Sequence, residues 1–364
     1  LILTKYNIYI YGPKYTELKI IMKSVLVLVV SFVVLVSIYT SNATTLRGTM
    51  INSNLKADDF RVLASWKANH IRWQLNMGEQ GGTPINATVA EYEAWLQNAL
   101  NIFDAMLPVL RQLGLSVLLD LHTPPGGADK QHRFRLFNET QFQDCFLSSW
   151  EMMANRYKNE KQIMGFDILN EPNDTTLATG LLNWRDLAIA ATQRIRAIDP
   201  QRTIIVEASP GGDYKTLPNF EPIPFDNIIY SFHMYAPALF VFQGVLFNVS
   251  EPIYYPGMIH GTMWNKDELR VVLQPNVDWQ KTHNVSIHIG EFSAVRWAPG
   301  NSTAQYLSDV IELFEEFDWN WNYHCFREFQ GWDVEMIGDP HHPQRSPVPT
   351  DRQLVLMEWF KKNE

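Results

Sequence analysis

Short apolar runs alternate with longer amphipathic segments from residue 46 onward, and this alternation constrains the fold more than any other feature of the sequence. Short apolar runs predict buried parallel strands, whereas longer segments with a helical period predict helices. The predicted strands are 46–51, 70–75, 116–121, 163–169, 203–206, 228–233, 286–290 and 321–326. The predicted helices are 89–113, 139–157, 181–198, 266–282, 303–317 and 351–361.

Eight strands interleaved with helices predict a (β/α)8 barrel, the TIM-barrel architecture of the α/β class. A doubly wound open sheet is the alternative, but no glycine-rich phosphate loop follows the first predicted strand. No repeat or linker indicates a second domain. In a (β/α)8 barrel the functional residues lie at the carboxyl ends of the strands, so these ends are where a site is expected.

Polar residues lie within or just after several of the predicted strands. They are Arg72, His122, Asn170, Glu171, His233, Tyr235 and Glu291. An unpaired charge is strongly unfavourable in a buried strand, so these side chains are expected to gather in a common polar site.

Two glutamates, Glu171 and Glu291, each end a short apolar run, at 168–172 and 287–292. Two carboxylates that face one another are what cleavage of a glycosidic bond requires, one as acid and one as nucleophile or base. The sequence therefore indicates glycoside hydrolysis.

The composition fits a carbohydrate ligand better than a nucleic acid. The net charge is -9, which argues against nucleic acid or an anionic membrane as a partner. The chain has 12 Trp, 14 Tyr and 20 Phe, and exposed aromatic rings can stack on sugars. Trp73, Trp264 and Trp297 are candidates for such platforms, with plain packing as the alternative for each.

The first 43 residues are predicted to lie outside the catalytic domain. Met22 and Lys23 precede an apolar stretch, 25–38, that ends in small residues near Ala43, a pattern typical of a secretory signal peptide. We expect residues 1–21 to be upstream sequence, 22–43 to be the signal peptide and 44–364 to be a secreted, extracellular catalytic domain. An uncleaved membrane anchor is the alternative. Sequons support secretion and lie at Asn86, Asn138, Asn173, Asn248, Asn284 and Asn301.

Other chemistries have weak support in the sequence. Cys145 and Cys325 are predicted to be buried free thiols, since two cysteines do not form a disulfide scaffold. His341 and His342 lack metal-ligand spacing, so no metal or other cofactor is expected. No Gly-x-Ser-x-Gly motif indicates a serine hydrolase.

Five motifs occur in the order seen in glycoside hydrolase family 5, and they carry a resemblance that covers residues 46–363. They are the segments 71–76, 119–122, 170–172, 233–235 and 290–292. The resemblance implies a retaining β-glycanase on a (β/α)8 barrel, with Glu171 as the acid/base and Glu291 as the nucleophile. It also implies substrate-site roles for five further residues: Arg72 and Tyr235 bracket the nucleophile, Asn170 binds the sugar 2-hydroxyl, and His122 and His233 line the cleaved subsite.

The sequence departs from the family at the end of the eighth strand, where the family usually has a tryptophan beneath the cleaved sugar. Here the segment 319–329 has Phe326 near that point, and Trp332 lies beyond it. We predict that Trp332 folds back to take the place of the missing ring. Glu328 and Glu335 are predicted to be solvated or salt-bridged.

The resulting hypothesis is a secreted, monomeric, metal-independent endo-β-1,4-glucanase that acts on a polysaccharide or oligosaccharide and has no stable membrane association. A β-mannanase and a β-1,3-glucanase are alternatives within the same family, because the acid pair is shared and the loops select the sugar. A catalytically silent carbohydrate-binding barrel is the alternative of a different class. The presence of both Glu171 and Glu291 argues against a silent barrel.

Overall fold

The computed structural model describes residues 45–78, 86–129 and 133–364. Residues 45–364 form one compact unit. The predictions of an upstream segment and a signal peptide concern residues 1–43, which lie outside the described residues. Within the described parts of the chain, no helix is long and apolar enough to span a membrane.

Eight parallel strands close into a barrel, which confirms the predicted fold. Each strand pairs with its neighbours in chain order, and the last strand pairs with the first to complete the ring. The strands are β1 (Arg47–Ile51), β2 (His70–Gln74), β3 (Ser116–Asp120), β4 (Ile163–Asp167), β5 (Thr203–Glu207), β6 (Ile228–Met234), β7 (Ser286–Phe292) and β8 (Asn320–Tyr323).

Helices follow the strands. They are α1 (Ala57–Ser65), α2 (Val89–Leu113), α3 (Thr140–Tyr157), α4 (Trp184–Ile198), α5 (Lys266–His283), α6 (Ser302–Glu316) and α7 (Asp351–Phe360). Shorter helical segments lie at Arg135–Phe137, Leu217–Asn219, Ala238–Val241 and Lys361–Asn363. The sequence pattern did not predict α1, because this helix has only nine residues, which is too short for a helical period to be read with certainty from one sequence.

Local chemistry fixes the ends of α2, whose bounds agree with the prediction. The hydroxyl of Thr88 accepts a hydrogen bond from the backbone N–H of Glu91, and the Glu91 carboxylate accepts one from the backbone N–H of Thr88 at 2.8 Å. This reciprocal capping satisfies donors that a helix start leaves unpaired. The helix ends at Leu113 and is capped by Gly114, whose φ of 70° is a left-handed conformation that favours glycine.

Trp73 is not a substrate platform, because it is fully buried between the barrel and the surrounding helices. Its ring stacks on Phe60 of α1 with centroids 5.9 Å apart and meets Phe103 of α2 edge-on at 5.0 Å. Side chains alternate between the two faces of a strand. Arg72, its neighbour in β2, therefore points into the barrel while Trp73 packs outward.

Only β1 ends where predicted, and the differences at β5, β7 and β8 change which site residues the strands carry. β5 extends to Glu207 and β7 to Phe292, so Glu207 and Glu291 belong to the barrel wall itself. β8 ends at Tyr323 rather than at residue 326, which places His324 and Cys325 in the following loop.

Two short antiparallel hairpins lie in the loops that follow β6 and β8. The first pairs Gly257–Ile259 with Thr262–Trp264, and the second pairs Met336–Ile337 with Gln344–Arg345. Glu335 lies next to the second hairpin and forms ion pairs with Arg327 and Arg345. The prediction that Glu335 is salt-bridged is therefore confirmed.

Candidate active site

Arg72 lies at the centre of the site, fully buried in β2. Its guanidinium group is within ion-pair distance of four carboxylates, which are Asp120 at 3.2 Å, Asp167 at 2.8 Å, Glu207 at 3.0 Å and Glu291 at 2.9 Å. Burial opposes its charge, but these carboxylates outweigh burial and raise the pKa of Arg72 well above its ordinary value. The side chain is therefore a fixed cation that links strands β2, β3, β4, β5 and β7.

Glu291 is almost buried, with 5% of its side chain exposed, and both of its carboxylate oxygens have partners. Oε1 accepts a hydrogen bond from Arg72 at 2.9 Å, and Oε2 accepts one from the hydroxyl of Tyr235 at 2.8 Å. The Nδ1 atoms of His324 and His233 lie 3.1 and 3.6 Å from Oε2. Burial opposes ionisation, but His233, His324 and Arg72 hold the pKa of Glu291 well below its ordinary value.

Glu171 occupies a different environment, since 43% of its side chain is exposed. Its backbone has a φ of 43°, a left-handed conformation that is strained for a residue other than glycine. The backbone N–H of Glu171 donates to the Glu207 carboxylate at 2.8 Å, which holds this turn in place. Gly212 packs against the same carboxylate, and a Cβ there would lie only 2.5 Å from Glu207 Oε2.

His233 connects the exposed and buried carboxylates of the site. Its Nδ1 lies 2.8 Å from Glu171 Oε1, and its Nε2 lies 3.1 Å from Glu207 Oε1. Burial would lower the pKa of His233, but Glu207, Glu291 and Glu171 raise it well above its ordinary value. A cationic imidazole can donate a hydrogen bond to a carboxylate at each of its two nitrogens.

The carboxylates of Glu171 and Glu291 face each other across a short gap. One oxygen from each, together with a ring nitrogen of His233, lie within 4.8 Å of one another. The expectation that strand-end polar residues gather is thus confirmed for this pair.

His122 and Asn170 lie beside the acid pair. His122 Nδ1 is 2.8 Å from Asp120 Oδ2, and although burial opposes it, Asp120 raises the pKa of His122 above its ordinary value. Asn170 accepts a hydrogen bond from Arg72 at 3.0 Å through Oδ1. This contact orients the amide so that its nitrogen is the group free to donate to a ligand.

Trp332 folds back onto the site, as the sequence analysis predicted. Its ring stacks on Tyr235 with centroids 5.9 Å apart and meets the ring of His324 at 4.7 Å. Phe326, the alternative, is buried and packs edge-on against Trp66 at 5.2 Å. Trp332, and not Phe326, is therefore the ring that packs against Tyr235 and His324, the two partners of Glu291 Oε2.

Several site residues were not singled out from the sequence. They are Asp120, Asp167, Glu207, His324 and, as part of the site, Glu328. Glu207 ends an apolar run in the same way as Glu171 and Glu291, so the same pattern could have found it. His324 has no such pattern, because it follows the strand in an irregular loop.

Two groups of side chains could bring metal-binding atoms together among the described residues. One is Glu171, His233 and Glu291, and the other is His324, Cys325 and Glu328. In the second group, burial raises the pKa of Cys325 well above its ordinary value, which opposes the thiolate that a metal needs. The Cys325 sulfur also accepts the backbone N–H of Phe329 at 3.1 Å. We assign none of these residues as a metal ligand.

Cys145 and Cys325 are both buried and free, as predicted.

The remaining candidates for a substrate platform are two tryptophans. Trp264 and Trp297 are both partly exposed. The indole N–H of Trp297 donates to the backbone carbonyl of Gln243 at 2.9 Å, so its ring has a fixed orientation.

A closed (β/α)8 barrel with two opposed carboxylates at the carboxyl ends of its strands defines the protein as a glycoside hydrolase. The chain belongs to the cellulase family, glycosyl hydrolase family 5, whose family model matches residues 37–328. The family resemblance carried by the sequence motifs is therefore confirmed.

Individual relatives agree with this family. Endoglucanase C of Acetivibrio thermocellus is 28% identical over 271 residues, which are 65% of this chain and 75% of that protein. Cellodextrinase A of Ruminococcus flavefaciens is 19% identical over 273 residues, 73% of this chain and 76% of that protein. The structure of Thermotoga maritima Cel5A in complex with cellobiose has a TM-score of 0.64, with 23% identity over 85% of this chain and 97% of that one.

Proposed function

We propose that this glycoside hydrolase is a retaining endo-β-1,4-glucanase, with Glu291 as the nucleophile and Glu171 as the general acid/base. The observation that carries the proposal is the short separation of the two carboxylates, since one oxygen of Glu171 lies within 4.8 Å of one oxygen of Glu291. Retaining enzymes hold the two groups about 5–5.5 Å apart, whereas inverting enzymes leave about 6.5–9.5 Å for a water molecule. The short gap favours double displacement.

In the first step, a carboxylate oxygen of Glu291 bonds to the anomeric carbon while the glycosidic oxygen departs and takes a proton from Glu171. The result is a glycosyl ester on Glu291. In the second step, Glu171 removes a proton from water, the water oxygen bonds to the anomeric carbon, and the ester bond to Glu291 breaks. The sugar thus regains its original configuration.

The environments of the two glutamates support these separate roles. Glu291 is nearly buried among cationic side chains and the hydroxyl of Tyr235, which keep it ionised for attack. Glu171 is partly exposed and lies 2.8 Å from His233, a partner with which it can exchange a proton. The two carboxylates therefore have the difference in surroundings that an acid and a nucleophile need.

The surrounding side chains have roles in binding the sugar at the cleaved bond. We assign Asn170 as a donor to the hydroxyl next to the anomeric carbon, since its Oδ1 is already held by Arg72. His122, oriented by Asp120, is a second polar contact. Trp332 offers a partly exposed aromatic face beside Tyr235.

A β-1,4-glucan is the substrate best supported by the relatives, because they include Endoglucanase C and Cellodextrinase A. Mannan and β-1,3-glucan are the alternatives, since the same acid pair serves each. Thermotoga maritima Cel5A is described both with cellobiose and with mannotriose. Hydrolysis rates on carboxymethylcellulose, mannan and laminarin decide between them.

We also propose that the enzyme is a secreted, extracellular monomer. Five sequon asparagines are exposed and accessible to glycosylation, namely Asn86, Asn138, Asn248, Asn284 and Asn301. The sixth, Asn173, is partly buried close to Glu171. Amino-terminal sequencing of protein recovered from the culture medium tests secretion, and a start near Thr44 is the expected result.

The catalytic assignment is tested with Glu291→Gln, which replaces the nucleophile by a neutral group of the same shape. The variant is expected to fold normally, bind cello-oligosaccharides and lose turnover, whereas Glu358→Gln, an exposed glutamate of α7, should match the wild type. Activity near wild type in Glu291→Gln would overturn the assignment. Nuclear magnetic resonance of the first product should show the β anomer, and the α anomer would refute retention.

A further inference from the structure

We propose that His324 is a positioning residue for the nucleophile: together with Tyr235 it orients Glu291, and its positive charge keeps this carboxylate ionised at acidic pH. The inference rests on the proposed function, since it takes Glu291 to be the nucleophile. His324 directly follows β8 and has 12% of its side chain exposed. The family resemblance does not assign it.

Three atoms lie within hydrogen-bond distance of one another: Nδ1 of His324, the hydroxyl oxygen of Tyr235 and Oε2 of Glu291. Its Nδ1 lies 2.7 Å from the hydroxyl of Tyr235 and 3.1 Å from Glu291 Oε2, and the Tyr235 hydroxyl lies 2.8 Å from the same Oε2. Because the tyrosine donates its own proton to Glu291, its oxygen can accept from Nδ1–H. A single Nδ1–H thus points at both partners, which fixes the carboxylate on the side opposite to Arg72.

A second carboxylate lies on the other side of the imidazole. Glu328 Oε1 is 3.8 Å from His324 Nε2, and Glu328 Oε2 is held by Gln74 at 2.7 Å. Only 4% of the Glu328 side chain is exposed, so its charge is poorly screened by water. Burial lowers the pKa of His324, but Glu291 and Glu328 raise it to about 9. The ring is therefore cationic at neutral and acidic pH.

The other titratable and charged groups around His324 are Arg72 on β2, His233 and Tyr235 on β6, Glu291 on β7, and Cys325 and Glu328 in its own loop. Arg72 and His233 also favour the ionised form of Glu291, so they add to the effect of His324. If His324 loses its charge, Arg72 and His233 remain, so the pKa of Glu291 rises by a limited amount.

The sign of the effect on activity follows from these charges. His324 keeps its proton as the pH falls, and its charge opposes protonation of Glu291. A neutral side chain at position 324 lets Glu291 take up a proton at a higher pH. The acidic limb of the pH profile of kcat/KM should therefore move to higher pH.

A packing role is the competing explanation, because the ring of His324 meets that of Trp332 at 4.7 Å. Two substitutions separate the explanations. His324→Phe keeps a flat ring but loses the hydrogen bond and the charge, whereas His324→Gln keeps an N–H donor but loses the ring and the charge. His342→Gln is the matched control, since that histidine is exposed and its partner is Asp339.

The pH dependence of kcat/KM is measured on a soluble cello-oligosaccharide for these variants, with thermal unfolding as a check of folding. Both His324 variants should move the acidic limb upward by roughly one pH unit, and His342→Gln should leave it unchanged. At neutral pH, kcat should fall by roughly ten- to a hundredfold in His324→Phe and by less in His324→Gln, with smaller changes in KM.

An unmoved acidic limb in both folded variants would overturn the role of His324, even if their activity were reduced. Full activity in His324→Phe would do the same and favour packing. Loss of activity in Glu291→Gln together with an unmoved limb would refute only the inference about His324. Activity near wild type in Glu291→Gln would instead refute the proposed function.

Discussion

Glu207 accepts a hydrogen bond from the backbone N–H of Glu171 at a distance of 2.8 Å. The contact joins the last residue of β5 to the strained turn after β4, where Glu171 has a φ of 43°. The same carboxylate also holds His233 and Arg72. Glu207 thus fixes the backbone of the proposed acid/base and, through His233, the side chain as well.

Glu207→Gln should therefore lower kcat by roughly ten- to a hundredfold while KM changes little, because acid–base catalysis depends on the position of Glu171. The Glu207 carboxylate meets three N–H groups, from the backbone of Glu171 and from the side chains of Arg72 and His233. A glutamine turns one of its two acceptor oxygens into an NH2 donor, which repels the N–H group on that side. Steady-state kinetics on cello-oligosaccharides measure the effect. Glu221→Gln is the control, since 78% of that side chain is exposed. Wild-type kcat in Glu207→Gln would show that the contact has no catalytic effect.

Arg72→Met should destabilise the fold by roughly 3–5 kcal/mol, because it leaves several buried carboxylates without their common cation. Urea unfolding followed by tryptophan fluorescence gives the free energy of unfolding. Arg61→Met is the control, because Arg61 and its partner Asp58 are both largely exposed and such pairs contribute only about 0–1 kcal/mol. Equal free energies of unfolding for the two variants would contradict the central role of Arg72.

Trp332→Ala should raise KM for cello-oligosaccharides by roughly tenfold, because a partly exposed ring that stacks on Tyr235 is lost from the site. Trp332→Phe retains a flat ring and should recover part of the affinity. Trp359→Ala is the control, because Trp359 in α7 is also partly exposed and its ring contacts Lys362. This variant should leave KM unchanged. If KM is unchanged in Trp332→Ala, the ring does not bind substrate.

The sequence was sufficient to predict the barrel because each strand is a short apolar run between helices. The eight predicted strands all exist, and α2 begins and ends where predicted. The missed helix, α1, has only nine residues, which is too short for its period to stand out in the sequence. The end of β8 at Tyr323 is set by pairing with its neighbours in the barrel, which a single sequence does not reveal.

The closeness of Glu171 and Glu291 was predictable, because each ends a short apolar run and the carboxyl ends of parallel strands meet at one end of the barrel. Burial and orientation were not predictable in this way. Trp73 looked like a platform, yet it faces the helices because its neighbour Arg72 faces the barrel interior. His324 was missed because its contact with Glu291 depends on the path of a loop across the barrel mouth.

The central claim, that Glu291 forms a covalent bond to the sugar, is tested most directly by trapping the intermediate. An activated 2-deoxy-2-fluoro-β-cellobioside should glycosylate the enzyme and then hydrolyse slowly, because fluorine destabilises both oxocarbenium-like transition states and the activated leaving group speeds only the first step. Mass spectrometry of the intact protein should show one added fluorocellobiosyl group, and peptide mapping should place it on Glu291. Attachment to any other carboxylate would contradict the account.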